Sequence, residues 1–228
     1  MWPDRVAVAT FVLIHGGGDV GWYWHLVERE LRHRGHATLA PDLPCDDDSA
    51  GLAEYADVVV EAIGGRRGLV LVAQSFGGFT APLVAARVPV DMLVLVAAMI
   101  PAPGEAPGDW PANTGFDEVM REQAQRYSGA DLIYHDLPAP LAEQARRNAR
   151  DQSDTPGHAP WPLDRWPPVP TRFVLCTEDR FFPPEFMRRV VADRLGVVPD
   201  EIAAGHAVAL SRPKELASLL VSYSHAGR

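Results

Sequence analysis

With 228 residues, 47% of them hydrophobic, the chain has room for one sizeable core and falls among globular rather than disordered or membrane proteins. Its formal charge of -9 excludes the Lys/Arg-rich surfaces that nucleic acids and anionic membranes require, and favours solubility. No apolar run approaches the roughly 18 residues of a membrane span. The start, Met1 to Arg5, lacks the basic-then-apolar pattern of a secretory leader, so a reduced, cytoplasmic protein is expected.

Thr10 to Ile14 is a continuous apolar run that ends in His15-Gly16-Gly17-Gly18, the look of a parallel strand buried on both faces. Trp22, Leu26, Val27 and Leu31 fit one face of a helix that stops at Arg34-Gly35. His36 to Ala40 reads as a second strand broken by Pro41, followed by an acidic loop from Asp42 to Asp48. Ser49 is placed to cap the next helix, in which Leu52, Tyr55, Ala56, Val59, Val60 and Ile63 recur at three- and four-residue steps before Gly64-Gly65. Leu69 to Ala73 is the third strand, Phe76 to Arg87 a helix, and Met92 to Ala97 the fourth strand.

From 101 to 170 the composition turns to Pro, Trp and charge, with helices expected at Phe116 to Tyr127 and Leu141 to Arg150. A stretch of that length is too long for a connection and reads as a cap inserted into a single domain spanning 1–228. Its aromatics (Trp110, Phe116, Tyr127, Tyr134, Trp161, Trp166) suit both a small core of its own and the lining of a pocket beneath it. Strands resume at Thr171 to Cys176 and near Val197 to Ala203, with helices at Pro184 to Leu195 and Arg212 to Tyr223. Alternation of strands and helices predicts an α/β fold, a mostly parallel six-stranded sheet with helices on both faces. Cys45 and Cys176 match no metal spacing, and Cys176, ending an apolar run, is expected as a buried thiol.

The third strand runs straight into Ala73-Gln74-Ser75-Phe76-Gly77, the nucleophile-elbow pattern G-x-S-x-G with Ala in the first place. A strand that becomes a helix within a few residues forces the serine into a sharp turn, and Ala73 and Gly77 must be small to avoid colliding. The Ser75 hydroxyl is thereby exposed at the top of the sheet, with the N–H of Phe76 free at a helix N-terminus to hold a negative oxygen. Other candidates fall at the carboxyl ends of neighbouring strands, where functional groups of open parallel sheets collect. They are the glycine loop after the first strand, Asp179 after the fifth and His206 after the sixth. The order serine, acid, histidine is that of a hydrolase triad: imidazole takes the serine's proton, and the carboxylate fixes the imidazole's tautomer. Glu178 stands beside Asp179, and Asp179 is preferred on chain geometry. Ala98-Met99-Ile100 after the fourth strand offers no acid.

Other polar residues have plainer readings. His15 is expected as a scaffold or pocket residue rather than a second base. His135 and Asp136 either face the substrate or decorate a solvated surface. Asp46, Asp47 and Asp48 read as a solvated loop, not a metal site. No cofactor or metal motif is present.

With these residues in hand the chain resembles the α/β-hydrolases, and within them the small branch of plant hydroxynitrile lyases and methyl esterases, the salicylate-binding methyl esterase included. The likeness spans nearly the whole chain. It rests on Phe11 to His15 with Gly21-Trp22-Tyr23-Trp24, on Pro41-Asp42-Leu43, on Gln74 to Gly78, on Glu178-Asp179 and on Gly205 to Pro213. The resemblance implies Ser75, Asp179 and His206 as the triad and Gly17 as donor of the second oxyanion N–H. It also implies departures. The lyases carry a lysine after the catalytic histidine, here Ala207, and a threonine after the first-strand histidine, here Gly16. The family often has an acid before that histidine, here Gly205.

Both lyase departures point to ester hydrolysis. The expected protein is a cofactor-free serine carboxylesterase that cleaves a small apolar or aromatic ester through an acyl-enzyme. A C–C hydrolase or lyase with the same triad, or a small-ligand receptor, are the alternatives; a serine in the elbow excludes epoxide and haloalkane hydrolysis, which need a carboxylate there. Partners other than a small-molecule ester are not expected, and the oligomeric state, a homodimer included, is left open.

Overall fold

The computed structural model describes residues 8–226; Met1 to Arg5, read above for a leader, lie outside them. Six strands form one sheet in the order β2-β1-β3-β4-β5-β6: β1 Thr10–Ile14, β2 Ala37–Leu39, β3 Leu69–Gln74, β4 Met92–Val96, β5 Thr171–Cys176 and β6 Asp200–Ile202. All five pairings are parallel, so the sheet is parallel throughout. The apolar runs of β1, β3 and β4 are buried along their whole length because both faces are covered.

Alternation along the strands divides the core in two. Val12, Ile14, Leu69, Leu71, Leu93 and Leu95 face α2 (Leu52–Ile63), α3 (Gly77–Ala85) and α7 (Pro184–Leu195). Phe11, Leu13, Val70, Val72, Val94 and Val96 face the other layer, formed by α1 (His25–His33) and α9 (Pro213–Ala226). A short helix, α8 (Val208–Ser211), precedes α9.

Several local expectations change. The predicted helix from Trp22 begins as a 3-10 turn, Gly21–Trp24, before α1. Ser49 does not cap α2: its N–H and hydroxyl both go to Asp47 Oδ1, at 2.8 and 2.6 Å. Gly51 is the cap residue instead, its N–H donating to Glu54 Oε2 at 2.8 Å. β6 is shorter than the run from Val197 predicts; Val198 is 89% exposed and Pro199 has no N–H for the ladder.

The segment between β4 and β5 carries three α-helices, α4 (Trp110–Thr114), α5 (Phe116–Arg126) and α6 (Ala139–Asn148), of which α4 had no periodic signal. It has no separate aromatic core. Trp110 and Trp161 sink into the main core, where their indole N–H groups donate to the Ile100 carbonyl (3.0 Å) and the Phe79 carbonyl (3.1 Å). The buried Glu105 receives the guanidinium of Arg194 from α7, and this pair fastens the start of the segment that follows β4. Among the described residues no helix is long and apolar enough to cross a membrane.

Candidate active site

β3 delivers Ser75 at a backbone φ of 51°, left-handed space that a β-carbon makes unfavourable by about 1–3 kcal/mol. Its carbonyl is held by the N–H groups of Met99 (2.9 Å) and Gly78 (3.1 Å), which fix the turn from both sides. Gly77 must be small for a reason the pattern did not reveal. A β-carbon there would lie 2.7 Å from the His15 carbonyl oxygen and 3.0 Å from that of Ile14, so α3 starts hard against the end of β1.

The loop after β5 turns so that Asp179 points inward and Glu178 outward, where it is exposed. Asp179 Oδ1 accepts the N–H groups of Phe181 and Phe182, each at 2.8 Å, and Oδ2 accepts Nδ1–H of His206 at 2.8 Å. Acid and histidine are almost wholly buried, 4% and 3% exposed, and the rings of Phe181 and Phe182 meet the imidazole edge-on at 5.0 and 5.1 Å. With Nδ1 protonated toward the carboxylate, Nε2 is left with its lone pair. At rest that lone pair takes an N–H of the Gln74 side chain at 3.0 Å. Sequence reasoning gave Gln74 no role. Its position just before the serine is the one signal that could have singled it out.

His15 is fully buried and works as scaffold. Its Nδ1–H donates to the Gly16 carbonyl (2.8 Å) and its Nε2 accepts Leu43 N–H (2.9 Å), which ties the glycine loop to the loop after β2. Burial pushes its pKa from the usual 6.5 down to about 4. The imidazole therefore gains a proton on unfolding between those values: its stabilising contribution is complete above pH 6.5 and is lost as pH falls toward 4. With each pH unit worth about 1.4 kcal/mol, the loss amounts to roughly 3 kcal/mol. Urea unfolding across this window is expected to show a steeper acid decline in wild type than in His15→Gln. Parallel curves would place the acid sensitivity elsewhere.

In the loop from Gly16 to Asp19, the Gly16 carbonyl accepts the N–H of Asp19 (3.4 Å), and Gly18 N–H donates to Gln152 Oε1 (2.9 Å). Neither bond uses the N–H of Gly17. Gly16 has no room for a side chain: a β-carbon would approach Ser75 Cβ to 2.9 Å and Gln74 Oε1 to 2.6 Å. A threonine is thus excluded sterically at this position as the loop now stands.

His135 and Asp136 resolve the open reading of that pair. The His135 Nε2–H donates to the Glu178 carbonyl at 3.0 Å, and Asp136 Oδ2 accepts Gly205 N–H at 2.7 Å. Both clasp the loops that carry the acid and the histidine. A β-carbon on Gly205 would fall 2.6 Å from Asp136 Oδ1, so Asp136 supplies a carboxylate in the space where an acid at position 205 would begin. Asp136→Ala is expected to lower kcat by about tenfold with a smaller effect on KM, because His206 loses the clamp on its preceding residue. An unchanged kcat would mean that this bond merely docks the insertion.

Ser75, Phe76, Gly17 and His206 line one cavity of about 300 Å³, together with Tyr23, Phe116, Tyr134, Phe181 and Phe182. Of the six aromatics singled out in the insertion, only Phe116 and Tyr134 reach it. Asp46 and Asp47 are occupied by Arg150 and by Ser49, and among the described residues no three His, Cys, Asp or Glu side chains gather as a metal would need. Both cysteines are free and buried, and burial pushes the Cys176 thiol well up.

Residues 11–219 match the Alpha/beta hydrolase family. The chain belongs to that family. It is 26% identical to Methylesterase 7 of Arabidopsis thaliana, over 96% of this chain and 97% of that one. It is 29% identical to Esterase PIR7B of Oryza sativa subsp. japonica, over 94% and 95%. The crystal structure of polyneuridine aldehyde esterase superposes with a TM-score of 0.80 at 22% identity, covering 96% of this chain and all of that one. These relatives agree with the branch of the α/β-hydrolases that the sequence resembles.

Proposed function

We propose that this α/β-hydrolase is a serine carboxylesterase that cleaves a small apolar or aromatic ester through an acyl-enzyme on Ser75. The observation that carries the reading is the His206–Asp179 hydrogen bond at 2.8 Å beside a serine held at φ 51°, both opening on one aromatic cavity. Esterase names among relatives matched over nearly their full lengths agree with it.

In this mechanism the ester displaces the Gln74 amide from His206 Nε2, which then accepts the proton of Ser75 Oγ as the oxygen attacks the carbonyl carbon. The N–H groups of Phe76 and Gly17 hold the tetrahedral oxyanion. Loss of one such donor typically costs about 3–4 kcal/mol of transition-state stabilisation. Asp179 stabilises the imidazolium without taking its proton. Nε2–H then protonates the departing alcohol, and water repeats the sequence to release the acid. The insertion acts as a cap that supplies Phe116 and Tyr134 to the pocket. Two reduced, buried cysteines fit a cytoplasmic enzyme.

A panel of p-nitrophenyl and methyl aryl esters tests this. Turnover with a burst of alcohol release and a mass increase equal to the acyl group on Ser75 is expected. Tight binding without turnover of any ester would instead favour a ligand receptor.

A further inference from the structure

The cavity contains one ionisable side chain that the mechanism does not use. Asp19, half-buried at the end of the glycine loop, faces the same space as Ser75 and His206. Its Oδ1 accepts the N–H of Val20 at 2.9 Å; among the described residues no other hydrogen bond reaches its carboxylate. Among the described residues no Lys or Arg pairs with it, and none lines the cavity. The titratable groups beside it are His206, Tyr23 and Tyr134 in the cavity and Cys45, whose thiol donates to the Asp19 carbonyl at 3.4 Å. Burial raises both phenols, that of Tyr134 to about 12, so both stay neutral beside the carboxylate, and a phenol supplies no positive charge in either state.

A half-buried carboxylate without a cation is unfavourable unless a ligand supplies one. Burial pushes Asp19 up to about 6, so above that pH it carries a negative charge into an apolar pocket. Tyr23, Tyr134, Phe181 and Phe182 line the same cavity, and the two tyrosines lie close enough to couple electrostatically to Asp19. One carboxylate among several aromatic rings is the arrangement that recognises an organic ammonium ion, through charge and through the ring quadrupoles.

We propose that Asp19 is a specificity residue that selects esters carrying a protonated or quaternary amine, in the acyl or the alcohol part, and turns away esters carrying a carboxylate. The proposal rests on the carboxylesterase reading and deepens it. An ester with a cationic group places that group against Asp19 and the tyrosine rings while its carbonyl lies at Ser75. An anionic ester meets like charge in a cavity that, among the described residues, no Lys or Arg lines.

Two isosteric sets test both halves of the substrate. On the alcohol side they are the benzoates of choline and of 3,3-dimethylbutanol. On the acyl side they are p-nitrophenyl esters whose chains end in trimethylammonium, tert-butyl or carboxylate. The expected result is a wild-type kcat/KM for an ammonium ester at least about tenfold above its tert-butyl counterpart in one of the sets, with the carboxylate ester slowest. In Asp19→Asn that ratio falls to near one, while Asp19→Glu retains part of it. A ratio that is the same in wild type and Asp19→Asn, or a wild type without preference in both sets, would overturn the proposal. Calorimetric binding of phenyltrimethylammonium against tert-butylbenzene to wild type serves if Asp19→Asn does not fold, equal affinities being the overturning result. Hydrolysis of neutral esters without an ammonium preference refutes only the role of Asp19. Failure to hydrolyse any ester refutes the esterase reading, and the calorimetric comparison still decides whether the pocket takes ammonium ions.

Discussion

Ser75→Ala is expected to lower kcat toward activated esters by about 10⁵–10⁶ and to abolish the acyl-enzyme seen by mass. The loss is large because nothing else in the cavity replaces the Ser75 oxygen. Cys176, the thiol nearest in kind, is buried at the end of β5 with its pKa pushed well up. The elbow itself is held by the bonds from Met99 and Gly78 to the Ser75 carbonyl, which alanine leaves intact, so the variant retains its fold. His206→Ala is expected to fall as far, and the double variant no further, since nucleophile and base act as one unit. Additive losses in the double variant would mean that the two residues do not share a step.

Asp179→Asn is expected to cost about 10⁴ in kcat, or roughly 5.5 kcal/mol, while Glu178→Gln stays within about twofold of wild type. The size follows from the turn that holds the acid. Asp179 Oδ1 accepts two backbone N–H groups, from Phe181 and Phe182. An asparagine keeps its carbonyl oxygen on that pair and so presents its amide N–H₂ to His206. Nδ1 must then accept instead of donate, the proton moves to Nε2, and the base that Ser75 needs is lost. KM is expected to change little, because the carboxylate is screened from the cavity by His206. A fall in Glu178→Gln comparable to that in Asp179→Asn would move the acid role to the exposed neighbour.

The places where expectation and structure part company share a cause. Apolar runs and helical periodicity located β1, β3, β4, β5, α2 and α7 closely, because burial on two faces or one stripe is written in local spacing. The cap of α2 fell to Gly51 and Glu54 because Ser49 found a nearer acceptor in Asp47, a competition between side chains two residues apart. The turn Gly21–Trp24 replaced the first turn of a helix beside Ala40. A β-carbon on Gly21 would come within 2.1 Å of that residue's carbonyl oxygen, a contact across the sheet edge that no local pattern records. The segment between β4 and β5 lacked a core of its own because two of its tryptophans, Trp110 and Trp161, found acceptors at Ile100 and Phe79 in the body of the fold.

The amino-acid sequence by itself determined the α/β alternation, the elbow around Ser75 and the order of serine, acid and histidine at strand ends. Each is a property of neighbouring residues: apolar period, small residues flanking a sharp turn, and a polar residue following a strand. Only the tertiary structure decided which of two adjacent carboxylates meets His206, since the turn after β5 buries Asp179 and exposes Glu178. It likewise set Gln74 against Nε2, brought Asp136 from the segment between β4 and β5 into the space beside Gly205, and left Asp19 facing a cavity that, among the described residues, no Lys or Arg lines. Those contacts join loops far apart in the chain, and their partners are chosen by packing, which no spacing along the chain encodes.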